Sequence, residues 1–279
     1  MLKPILSTKW LHKNLKNSNV IILDASPETN VSGLTTEFPN IQIKGARKFD
    51  IKNTFSDPKS SLPNTLPSPS HFENECRKLG INNESIIVVY DNLGTYTSPR
   101  VWWMFKVMGH KNVHILNGGL PNWIEKHYEV EPIIKHLYIS GNFKASFNSS
   151  LFADKNTILK NIGQKKALVI DARSTERFSG LKPEPRKGIR SGHIPSSKNL
   201  PYHKVLNEGK FKSKRKLANL FHNLNIDDQP LIFSCGSGIT ACILYVAHEL
   251  ISHKPKAVYD GSWTEWGLDT TLPIETFNK

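Results

Sequence analysis

Four short segments of this chain recur in the same order between 143 and 151 residues later, and that duplication limits the possible folds more than any single motif. Residues 20–25 (VIILDA) match residues 168–172 (LVIDA), and residues 43–49 (IKGARKF) match residues 194–200 (IPSSKNL). Residues 86–91 (IIVVYD) match residues 230–235 (PLIFSC), which sets Asp91 opposite Cys235. Residues 118–123 (GGLPNW) match residues 261–266 (GSWTEW). A fixed order with a nearly constant offset is the mark of a duplicated domain. The 279 residues suit two domains of ordinary size. The sequence divides as 1–128 and 149–279, joined by a linker over 129–148 where strand and helix signals fade and Pro, Gly and Asn appear.

The repeated blocks also carry the secondary-structure signal. VIILDA, IIVVYD, VHILNG, LVIDA, PLIFSC and AVYDG are short β-branched or aromatic runs that end in turn residues. Helical patterns fall between them, over 7–15, 69–79, 99–108, 153–162, 214–224 and 240–250. Short buried strands alternating with helices predict an α/β fold of two tandem domains, each a mainly parallel sheet flanked by helices. In such sheets the chemistry gathers in the loops beyond the strands' carboxyl ends.

Composition removes several classes. The longest apolar run is residues 241–247, against roughly 20 residues for a membrane span. The N-terminus MLKPILSTKWLHK has no apolar stretch long enough for a signal peptide. Three cysteines without a CxxC pair make neither a disulfide scaffold nor a structural zinc site. These features read as a cytoplasmic chain with reduced thiols, with no membrane partner. The net charge of +13 sits mostly in the second half, densest at Lys210, Lys212, Lys214, Arg215 and Lys216. No aromatic interleaving or RNA-binding motif accompanies it, so it reads as a solvated lysine-rich surface, and nucleic acid is not an expected partner. Attraction of an anionic substrate is another use of the same potential.

One loop stands out chemically. Cys235 ends a strand and opens Cys235-Gly236-Ser237-Gly238-Ile239-Thr240, which runs into a helix. Glycines let the backbone curl so that successive N–H groups face one point, and the following helix aims its positive end there too. Such a setting favours the thiolate, which is the nucleophile. A cysteine phosphatase would need an arginine six residues after the nucleophile, where Ala241 stands. Among 11 histidines a protease-like Cys/His pair is uninformative, and His110 with His114 straddle a strand start, which disfavours a metal site.

CGSGITA, YDGSWTEWG, DARSTERFSG and SGHIPSSKNLPY, with YDNLG, SPRVWWMFKVMGH and NVHILNGGLPNW in the first half, resemble the tandem-domain rhodanese sulfurtransferases over nearly the whole chain. The resemblance is strongest to the 3-mercaptopyruvate sulfurtransferases. It implies an inactive N-terminal repeat and a catalytic C-terminal one. It also implies that Cys235 takes sulfur from 3-mercaptopyruvate as a persulfide, releases pyruvate, and passes the sulfur to a small thiol, a thioredoxin-like protein or cyanide. Ser237 matches the loop serine that handles a proton, and Arg177 and Arg186 match the substrate-binding arginines. Gly236, Gly238, Ile239 and Thr240 complete the substrate loop. No cofactor and no metal is expected. Thiosulfate sulfurtransferase is the rival within the enzymes, and a non-catalytic rhodanese-fold binding module the rival outside them.

The chain also departs from that pattern. The first-domain histidine and aspartate that line up with the loop serine in the family fall on Asn64 and Lys52 here, and His71 is the nearest imidazole in sequence. His193, in Gly192-His193-Ile194-Pro195, is expected to brace a turn. Cys242 within the helix is expected to be core, as are Trp263 and Trp266.

Overall fold

The computed structural model describes residues 3–30, 32–134, 136–226 and 228–277. Lys135, within the expected linker, and Asn278 and Lys279, at the end of the expected second domain, lie outside the described residues. The chain forms two compact units. One comprises the chain up to Lys59, Leu66–Asn148 and Glu208–Phe211; the other comprises Ser60–Thr65, Ser149–Asn207 and the chain from Lys212 onward.

The first unit is built on β1 (Ile5–Leu6), β2 (Val20–Asp24), β3 (Arg47–Lys48), β4 (Ile86–Tyr90) and β5 (Val113–Leu116). All pairings are parallel, in the order β1-β5-β4-β2-β3. A small antiparallel pair, Ile41–Ile43 with Val130–Pro132, is added to it. The second unit is built on β6 (Phe152–Ala153), β7 (Leu168–Asp171), β8 (Lys198–Asn199), β9 (Leu231–Ser234) and β10 (Lys256–Tyr259), all parallel in the order β6-β10-β9-β7-β8. Each strand of the second sheet thus takes the place of the strand five labels earlier, so the sequence duplication is a duplication of topology.

The central strands β4 and β9 are buried along nearly their whole length, which explains why IIVVY and LIFS read as continuous apolar runs rather than alternating ones. Helices cover both sheets: α1 (Thr8–Asn14), α2 (Pro69–Lys78), α3 (Ser98–Val107), α4 (Gly119–Glu125), α5 (Lys155–Gln164), α6 (Thr175–Phe178), α7 (Lys214–His222), α8 (Ala241–Glu249) and α9 (Ser262–Leu268). Each of the six expected helical stretches overlaps one of them, with α3 starting one residue earlier and α5 ending two residues later than expected. The stretch expected from residue 153 starts later because Ala153 belongs to β6. The Asp154 carboxylate then caps α5 by accepting the N–H and hydroxyl of Thr157.

α4 and α9 carry no helical period in the sequence. Both are single short helices that open from left-handed residues, Gly119 (φ 53°) and Ser262 (φ 51°). A Cβ on Gly119 would lie 2.2 Å from the Asp91 carbonyl oxygen, so only glycine fits there.

Trp123 and Trp266 occupy equivalent places in α4 and α9 and are fully buried. Each donates its indole N–H to a carbonyl, Trp123 to Glu129 at 2.9 Å and Trp266 to Pro273 at 2.8 Å. Both are core residues, the role expected for the aromatic Trp266 and the equally buried Trp263. Trp266→Ala is expected to cost about 3–5 kcal/mol of the second unit's stability, read as a lowered urea midpoint. A cost below about 1 kcal/mol would mean the side chain does not carry the packing its burial implies.

Candidate functional site

The strand register defines the site. Tyr90 pairs with Asp24 in the first sheet and Ser234 pairs with Asp171 in the second, so Asp91 and Cys235 are the first residues beyond equivalent strand ends. From each the chain turns directly into a mostly buried helix, α3 or α8. The backbone carbonyl of each is caught by the first turn of the repeat-matched helix: Leu120 N–H donates to Asp91 at 3.0 Å and Trp263 N–H to Cys235 at 2.9 Å.

The two turns then diverge. In the first unit the Asp91 carboxylate folds back into the concavity that its own loop makes. It accepts N–H bonds from Leu93, Tyr96, Thr97 and Ser98 and the Ser98 hydroxyl, all between 2.7 and 3.1 Å. Burial holds this carboxyl above its usual range, and the same hydrogen bonds offset only part of that rise. In the second unit Cys235 brings no acceptor of that kind. Among the described residues, the N–H groups of Gly236, Ser237, Ile239 and Thr240 donate to no protein acceptor. A run of open N–H groups at the start of α8 is suited to an anion.

Cys235 itself is buried, 1% exposed, with its N–H donated to Ser262 Oγ at 3.1 Å and its sulfur 3.9 Å from the same oxygen. Gly236 gives its carbonyl to the N–H and hydroxyl of Thr264 at 2.8 and 2.6 Å. The start of α9 therefore holds the loop from behind. Gly238 turns it in the left-handed region (φ 78°), and Cys242 donates its thiol to the Gly238 carbonyl. Cys242 is a fully buried core thiol.

The two arginines reach the loop from another segment. Arg177 lies in α6, capped by Ser174; a Cβ on Gly236 would come 3.1 Å from its Nη2, so the missing side chain makes room for the guanidinium. Arg177 donates through Nε and Nη2 to Glu184, whose side chain is 3% exposed. Glu184 also accepts from Arg173 Nη1 at 2.8 Å. Arg173, fully buried over the Trp263 ring, binds Asp171 through Nε and Nη2 and donates to the Gly192 carbonyl. Burial opposes the charge of Arg173, yet Asp171 and Glu184 together hold it above its ordinary value. Arg186 Nη1 lies 3.5 Å from Thr264 Oγ1, the hydroxyl bound to Gly236. Asp171, at the end of β7, is thus tied through Arg173 and Glu184 to the guanidinium beside Gly236.

Ser237 is buried and its hydroxyl accepts a hydrogen bond from Asn64 Nδ2 at 3.1 Å, both residues belonging to the second unit. Lys52 is exposed in the first unit, and His71 binds the Thr54 carbonyl there. His193 bonds the Phe178 carbonyl and stacks on its ring, 3.9 Å between centroids, which makes it a brace of its turn. His110 and His114 bond carbonyl oxygens of Ser85 and Lys3. Among the described residues no three His, Cys, Asp or Glu side chains gather as metal ligands. Sequence reasoning passed over Ser262, Thr264 and Glu184. Ser262 and Thr264 lie inside the quoted YDGSWTEWG motif, and Glu184 stands between Arg177 and Arg186, where a carboxylate is the signal of a pair to be neutralised.

The profile of the rhodanese-like domain matches this chain twice, over residues 7–126 and 154–269. Thiosulfate/3-mercaptopyruvate sulfurtransferase 1, mitochondrial, of Arabidopsis thaliana is 38% identical over 98% of this chain and 78% of its own length. A thiosulfate sulfurtransferase of Rattus norvegicus is 38% identical over 95% of this chain and 92% of its own. Among solved structures, SseA from Escherichia coli, described as a 3-mercaptopyruvate sulfotransferase with the rhodanese fold, superposes with a TM-score of 0.83 at 32% identity, over 94% of this chain and 99% of its own.

The arginine–carboxylate chain yields a stability test. Glu184→Ala removes the shared partner of one buried and one half-buried guanidinium, and is expected to cost about 3–5 kcal/mol, read from urea unfolding. Exposed pairs such as Lys44–Glu129 are worth at most about 1 kcal/mol by the same measurement. Equal costs for the two would show that the buried chain carries no special weight.

Proposed function

Because this chain belongs to the rhodanese family, with two rhodanese-like domains in tandem, we propose that it is a sulfurtransferase that moves sulfane sulfur from 3-mercaptopyruvate through a Cys235 persulfide to a thiol or cyanide. The observation that carries the reading is the turn after β9, where a cysteine replaces the carboxylate that fills the matching turn after β4. Residues 149–279 form the catalytic half in this reading. Residues 1–128 form a non-catalytic half, since Asp91 has no sulfur to exchange and its carboxylate already occupies the nest.

The chemistry follows from the groups present. The Cys235 thiolate attacks the sulfur of the donor, forming the S–S bond as the C–S bond breaks, and the bond's electron pair passes to the pyruvate enolate. Negative charge develops within reach of the loop N–H groups, whose dipoles need no reorganisation to meet it. Arg177 and Arg186 supply planar donors for the donor's carboxylate and keto group. The acceptor then attacks the outer sulfur and restores the thiolate. A small thiol, a thioredoxin-like protein or cyanide suits that step.

Thiosulfate is the second donor the relatives' names suggest. The loop from Gly236 to Thr240 carries no cation to receive a dianion or a departing sulfite. The nearby cations, Arg177 and Arg186, stand on another segment, an arrangement that suits a carboxylate held several atoms from the reacting sulfur. 3-Mercaptopyruvate is therefore expected to show the higher kcat/KM. Arg186→Ala should cost about 30-fold or more with 3-mercaptopyruvate and less with thiosulfate. A preference for thiosulfate, or equal losses with both donors, would overturn the donor assignment.

Cysteine assignment has its own test. Cys235→Ser should abolish turnover of both donors with the fold intact, because oxygen forms no persulfide. Cys242→Ser, which alters a buried core thiol bonded to the Gly238 carbonyl, should keep most activity. Similar losses in the two variants would mean the nucleophile is wrongly assigned.

A further inference from the structure

Ser237 follows Cys235 by two residues and is 7% exposed. Its hydroxyl oxygen is an acceptor in the structure, taking the Asn64 Nδ2–H at 3.1 Å. Among the described residues it passes its own proton to no protein acceptor. Asn64 is held in the left-handed region, φ 59°, a conformation that asparagine adopts more readily than most residues. The backbone of Ser60–Thr65 thus delivers a carboxamide to the serine within one unit. A carboxamide does not ionise in the working pH range and cannot take a proton from Ser237. What it does is set the polarity of the hydroxyl: the lone pair facing Asn64 is engaged, and the O–H is left to point elsewhere, polarised as a stronger donor.

We propose that Asn64 is a positioning residue that fixes Ser237 as a hydrogen-bond donor to the donor substrate's keto oxygen, so that sulfur transfer in this chain runs without a proton relay through the serine. The proposal rests on the sulfurtransferase reading above. The proton balance permits it. When the Cys235 thiolate takes the sulfur of 3-mercaptopyruvate, the new S–S bond oxidises the pair of sulfurs by two electrons, leaving one sulfane sulfur as the outer atom, and the same two electrons reduce the carbon to an enolate. The substrate's own S–H, now the outer S–H of the persulfide, supplies the proton that converts enolate to pyruvate. Cys235–S–S⁻ remains. No side chain must gain or lose a proton; the enolate oxygen needs only a fixed donor where its charge develops.

The test replaces the amide donor by an acceptor. Asn64→Asp suits the left-handed backbone, and single-turnover pyruvate release is followed from about pH 4.5 to 8.5, with the mass of the Cys235 peptide read in parallel. Near pH 8 the carboxylate would draw the Ser237 proton to itself, and release should fall about tenfold or more. As pH falls towards the ordinary carboxyl range near 4, the protonated acid donates again, and the ratio to the native protein should recover. Ser237→Ala should show a loss of similar size, and the double variant should be no slower than Ser237→Ala alone. Asn64→Gly, which removes the donor without straining the backbone, should lose rate without the pH-dependent recovery. Asn64→Asp matching or exceeding the native rate near pH 8 would show that the serine works through a base, and would overturn the proposal. Additive losses in the double variant would overturn it as well. If the native protein loads sulfur from 3-mercaptopyruvate in either case, the sulfurtransferase reading survives. A native protein that loads none would remove that reading and the proposal together.

Discussion

Both halves of this protein turn a buried strand straight into a buried helix, and at each turn backbone N–H groups converge that the helix itself cannot satisfy. A concavity of that kind, in a place where water is largely excluded, calls for negative charge. The first half supplies it internally: five donors close on Asp91, whose carboxyl burial raises and hydrogen bonding lowers. The second half places a thiol at the same point and leaves N–H groups open around it. One side-chain difference at one strand end therefore separates a turn that is finished on folding from a turn that can accept a reacting anion.

The rest of the second unit holds that turn still. Ser262 and Thr264 at the start of α9 take up the N–H of Cys235 and the carbonyl of Gly236. Asp171, Arg173 and Glu184 form an ion chain from the end of β7 to Arg177, so that a cation beside Gly236 is anchored in the sheet rather than left to solvent. Buried charges in such a chain are not a cheap route to stability; their consequence is a guanidinium with one direction to point.

Much of this was legible in the residues. The blocks around Asp91 and Cys235 aligned in the sequence, and the two residues stand just beyond equivalent strand ends, because β-branched runs with turn residues at their ends survive duplication. Six helices, α1, α2, α3, α5, α7 and α8, were legible from period alone. The four-residue α6 was not, nor were α4 and α9, each of which begins at a left-handed residue that periodicity treats as a break. The partners of the site were least visible. Glu184 looks like any acidic residue in a polar loop until two arginines close on it. The Asn64–Ser237 bond spans 173 positions and depends on Ser60–Thr65 packing into the second unit, which no local pattern signals.

The account stands on Cys235 being the atom that carries sulfur and on its repeat partner being inert. The direct measurement is peptide-resolved mass spectrometry of the whole chain after brief exposure to 3-mercaptopyruvate without acceptor. A gain of one sulfur confined to the peptide holding Cys235, removed on adding a thiol or cyanide, is the predicted result. Sulfur on the Cys76 or Cys242 peptides instead, or none anywhere, would contradict it.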